Sequence, residues 1–114
     1  VPAEADVVVF GMPWDGGDIG ACGARNAPLA IRDASLQILY GVDRFSGRPL
    51  GWYDADRARP LLAGMTIGDC GDVFVDHGEP QSALHARFSD ALRTVLDAKT
   101  LPVVIGGDAS VCVP

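Results

Sequence analysis

Three short apolar runs, Val7 to Phe10, Met65 to Gly68 and Pro102 to Ile105, constrain this chain more than anything else in it. A strand with one wet face shows a polar residue at every second position. These runs are apolar or β-branched throughout, the pattern of strands covered on both faces, which favours a parallel sheet. Each run also ends in glycine and acid: Gly11-Met12-Pro13-Trp14-Asp15, Gly68-Asp69-Cys70-Gly71-Asp72 and Gly106-Gly107-Asp108. In open α/β sheets the loops beyond the carboxyl ends of the strands build the site, so a site in this chain is expected to draw on those three loops.

Two stretches between the runs read as helices. Pro28 to Leu39 starts with proline in its first turn and carries Leu29, Ile31, Ala34, Leu36 and Ile38 as a broad apolar face. Pro80 to Lys99 places Leu84, Phe88, Ala91, Leu92, Val95 and Leu96 at three- and four-residue spacings, with Arg87, Asp90, Arg93 and Asp97 turned to water. The region from Gly41 to Pro60, rich in Gly, Pro, Asp and Arg, reads as a long surface excursion, a feature that usually serves function or contacts a neighbour. The order is β, loop, α, long loop, β, loop, α, β.

At 114 residues the chain is one domain at most. Its apolar share of 48% against 21% charged residues is that of a chain with a core, not of a disordered one. A net charge of -6, with nine scattered Lys and Arg, provides no footprint for nucleic acid or an anionic membrane, so neither is expected as a partner. No apolar run is long enough to span a bilayer and no basic leader precedes one, which reads as a soluble, cytoplasmic chain. Cys22, Cys70 and Cys112 lack metal-site or disulfide spacing and read as buried thiols. The chain opens at Val1 without methionine and stops at Pro114 just after a strand and glycine signal, and so is expected to be a piece of something longer.

Three segments then bring a family into view. Gly11-Met12-Pro13-Trp14-Asp15, followed by Gly23-Ala24-Arg25-Asn26-Ala27-Pro28 and Ile31-Arg32, resembles the ureohydrolase (arginase/agmatinase) opening Gly-x-Pro-x-Asp, Gly-x-Arg-x-Gly-Pro, Ile-Arg. Asp69-Cys70-Gly71-Asp72 is similar to the Asp-x-Gly-Asp of agmatinases, the nearer likeness. Gly106-Gly107-Asp108-Ala109-Ser110 resembles Gly-Gly-Asp-His-Ser. Asn26 and Ala27 depart from the residues the family usually places before that proline. The likeness covers nearly the whole chain but only the first third or so of the family domain, which makes residues 1–114 the N-terminal portion of a ureohydrolase-like domain.

The resemblance implies a three-layer α/β/α unit, a partial arginase-like fold with a parallel sheet in strand order 2-1-3. It implies manganese-dependent hydrolysis of a guanidino C–N bond, releasing urea, with two Mn²⁺ ions activating a water. The family's ligands are the histidine of Gly-Gly-Asp-His, then an Asp-x-His-x-Asp and an Asp-x-Asp segment further along. Ala109 stands at the histidine position and the other segments are absent from this sequence. A methyl cannot coordinate a metal, so the chain alone is expected to bind none stably and to be inactive. The rival reading is a metal-ligand-deficient chain of the same fold serving as a structural or regulatory partner. Either way a second chain or a further C-terminal part is expected to complete the sheet in an oligomer, because an uncovered parallel edge invites association. A dinucleotide-binding module fits less well, since no Gly-x-Gly-x-x-Gly opens the first helix.

Each candidate residue also has a plainer reading. Gly106, Gly107, Asp108 and Ser110 would support the metal loop, while Asp108 could simply cap the turn that follows. Asp15, Gly16 and Gly17 would face the substrate mouth, or Asp15 could stabilise a turn. Asp69 and Asp72 read as hydrogen-bonded loop acids. His77 and His85 fall at no ligand position of the family and read as surface histidines. Arg25 is suited to bidentate pairing with a carboxylate, and a bare arginine would repel a guanidinium substrate.

Overall fold

The computed structural model describes residues 5–20, 22–39, 45–46, 52–62, 64–76 and 78–114. Strand β1 (Val7–Met12) is followed by a 3-10 turn (Ala24–Asn26) and helix α1 (Ala27–Leu39). A short hairpin of β2 (Tyr53–Asp54) and β3 (Arg59–Pro60) precedes β4 (Ile67–Asp72), α2 (Gln81–Asp97), β5 (Leu101–Gly106) and a final 3-10 turn (Ala109–Cys112). The main sheet is parallel in order β4-β1-β5, the expected 2-1-3 arrangement. Proline opens α1 as expected, in its second position, where a missing N–H costs nothing.

Side chains alternate along β1, and the alternation separates the two helices. Val8, Phe10 and Met12 are buried against Leu84, Phe88 and Val95 of α2, with the Phe10 and Phe88 rings 5.4 Å apart and tilted by 37°. The other face of β1 meets the start of α1 at Gly11. A Cβ on Gly11 would lie 2.9 Å from Pro28 Cβ and closer still to the Asp72 carboxylate, so only glycine admits both neighbours. Helix α2 ends where Lys99 turns left-handed at φ 57° and donates its N–H to Leu96 O. Buried Thr100 then ties the strand entrance to Ala5 O through its hydroxyl at 3.1 Å.

Three expectations are corrected. Strand β4, read from sequence as Met65 to Gly68, is Ile67–Asp72: Met65 closes a turn onto Leu62 O, and the glycine–acid segment read as a loop is itself paired to β1. Backbone pairing with a central strand overrides the poor strand propensity of Gly and Asp, and the misfit surfaces as a register shift between Val9 and Gly11. Cover on both faces holds for β1 alone, since Ile67, Leu101 and Val103 of the flanking strands are each more than 40% exposed. The apolar face read for α1 is likewise open at Leu29, Ile31 and Leu36.

The cysteines are exposed, not buried. Cys22 lies in a glycine-bounded loop, Cys70 on an outer strand and Cys112 at the end of a 3-10 turn. In the excursion, residues 41–44 and 47–51 lie outside the described residues, and the rest contributes the β2–β3 hairpin. Among the described residues no helix is long and apolar enough to cross a membrane.

Candidate functional site

The carboxyl ends of β1 and β5 are stitched together by main chain. Gly107 N–H donates to Met12 O at 3.0 Å and Asp108 N–H to Trp14 O at 2.8 Å. This approach requires glycine at 107, where a Cβ would fall 1.8 Å from the Trp14 carbonyl oxygen. Gly106 is also confined, with Val111 Cγ1 2.7 Å from where its Cβ would be. The glycine pair therefore serves to bring two loops within hydrogen-bonding distance.

Asp108 fastens that junction. Its Oδ2 accepts from Gly17 N–H at 2.8 Å, and its Oδ1 accepts from the Ser110 N–H at 2.9 Å and from the Ser110 hydroxyl. It thus caps the Ala109–Cys112 turn and holds the β1 loop at once. Burial works against its ionisation, yet the donors from Ser110 and Gly17 outweigh burial and hold the carboxyl below its usual value. Ala109 is exposed at the start of the turn.

Asp15 organises the next loop. Buried at 4% exposure, it accepts at Oδ2 from the N–H groups of Gly23 (2.8 Å) and Arg25 (3.4 Å), and its Oδ1 lies 2.6 Å from Arg25 Nη2. The Arg25 guanidinium foremost, then the Gly23 N–H, lower its pKa from 3.8 to about 2. Arg25 thus fixes its own loop, as its residue type suggests, pairing through Nη2 and its backbone N–H. Gly16 and Gly17 are exposed beside it; the Trp14 ring lies 2.3 Å from where a Gly16 Cβ would be.

Asp69 and Asp72 meet at Arg32. Arg32 takes Asp69 with Nε at 2.7 Å and Nη2 at 2.9 Å, Asp72 with Nη1 at 2.6 Å, and donates to Gly71 O at 2.9 Å. Arg32 pushes the Asp69 pKa down, and the arginine's own rises. The bidentate fork read for Arg25 is found here and at Arg87, which grips Glu79 at 2.9 and 2.7 Å and lies 5.6 Å from the centroid of the Phe74 ring. Neither clamp was singled out from sequence, although Ile31-Arg32 and the Asp-x-Gly-Asp segment carried the signal for the first. His85 sits on α2 with its Nε2 3.2 Å from Gln81 Nε2, and His77 lies outside the described residues.

Manganese does not fit these side chains. The Asp108 and Asp15 carboxylates are engaged by N–H and O–H donors or by Arg25, and Ala109 offers no donor atom. Among the described residues no group of three His, Cys, Asp or Glu is placed to hold a metal. The loops form a scaffold to which coordinating atoms would have to be added.

Known proteins share this scaffold. A guanidinopropionase of Pseudomonas aeruginosa is 33% identical over 115 residues, 99% of this chain and 31% of that protein. An N(1)-aminopropylagmatine ureohydrolase of Thermococcus kodakarensis is 31% identical over 112 residues, 96% of this chain and 34% of that protein. Among solved structures, the agmatine ureohydrolase of Thermoplasma volcanium superposes with a TM-score of 0.72 at 26% identity, covering 97% of this chain and 33% of that one. A formiminoglutamase of Trypanosoma cruzi, solved with manganese, gives 0.70 at 26% identity, covering 97% and 34%. The chain spans about a third of the length of the relatives it matches. The arginase family model matches residues 5–114. With its parallel sheet and glycine–acid strand ends in the family's order, the chain belongs to the arginase family.

Proposed function

We propose that this chain is the N-terminal portion of an amidinohydrolase that releases urea from a guanidino substrate, and that by itself it is inactive. The observation that carries this reading is the Met12–Gly107 and Gly17–Asp108 stitching. It brings two family-like loops to one end of the sheet, where α/β enzymes place their sites. The relatives named above act on guanidino or formimino compounds and extend about three times as far. Further chain, or a second subunit, would supply the remaining sheet and the coordinating side chains, within a soluble, cytoplasmic, oligomeric enzyme. Gly106, Gly107, Asp108 and Ser110 act as loop support, and Asp15, Gly16 and Gly17 form the wall of the substrate mouth.

Ala109 favours a second reading, a ureohydrolase-fold chain that has lost a metal ligand and acts as a structural or regulatory partner. Elemental analysis and intact mass of the native particle, followed by urea assays on agmatine and arginine with and without Ala109→His, separate the two. The hydrolase reading expects manganese content and urea release to rise with the histidine. A particle that stays metal-free and inert with histidine restored supports the partner role. Two equivalents of manganese on the unaltered chain would overturn the argument from Ala109.

A further inference from the structure

We draw no further inference here: the strongest candidate, the cavity of about 320 Å³ between the outer strand β4 and helix α2 that Cys70, Phe74 and Ala91 help to line, carries nothing, because nothing in the structure shows what covers it.

Discussion

The two faces of the sheet are held by different physics. On the α2 side, Val8, Phe10 and Met12 meet Leu84, Phe88 and Val95 in a dry layer. On the α1 side the start of the helix docks at Gly11, while Arg32 grips two partly exposed acids and Leu29, Ile31 and Leu36 stay open. Apolar burial scales with area removed from water, whereas half-solvated ion pairs add little each. One face therefore supplies the stability, and the other supplies register and a surface open to further cover.

The hardest test of that contrast is Phe88→Ala. Phe88 is fully buried against Phe10, and its truncation is expected to cost about 3–5 kcal/mol in denaturant unfolding. A loss below about 1 kcal/mol would mean that α2 does not carry the core. Next is Gly107→Ala, whose Cβ would press on the Trp14 carbonyl. About 1–3 kcal/mol of destabilisation is expected, with the Gly17 amide losing its protection from hydrogen exchange as Asp108 is displaced.

Arg32→Met probes the other face and should cost only about 1 kcal/mol, because Asp69 and Asp72 remain partly solvated. The parent should move toward the variant in high salt, where exposed pairs are screened; Phe88→Ala should show no such convergence.

The smallest effect is confined to acid. Asp15 has its pKa lowered from 3.8 to about 2 and Glu79 from 4.5 to about 2. A depressed carboxyl pKa stabilises the folded chain above the unfolded value, and that contribution fades as pH falls through the folded one. The Gly23 and Arg87 signals should therefore change between about pH 4 and pH 2 while those of Val8 and Leu84 hold. Asp15→Asn should remove the change at Gly23 only.

Legibility from sequence followed the same division. The α2 stripe and the β1 run were readable because periodicity reports burial directly: Leu84, Phe88 and Val95 are buried against β1, although Leu96, read into the same stripe, is 54% exposed. Strand β4 was misplaced because Gly68-Asp69-Cys70-Gly71-Asp72 has loop chemistry. Its strand conformation comes from pairing with β1 and from an arginine 37 residues earlier than Asp69. The cysteines were misjudged because thiols are usually buried, whereas all three are exposed on a loop, an outer strand and a terminal turn.

The sequence by itself determined the helix–strand alternation, the strand-end glycines and the alanine at position 109, since each is a matter of local residue chemistry. The tertiary structure decided that Asp108 holds Gly17, that Arg32 gathers Asp69 and Asp72, and that the Trp14 N–H is left without a partner. These depend on contacts between residues tens of positions apart, which exist only once parallel strands bring their carboxyl ends together.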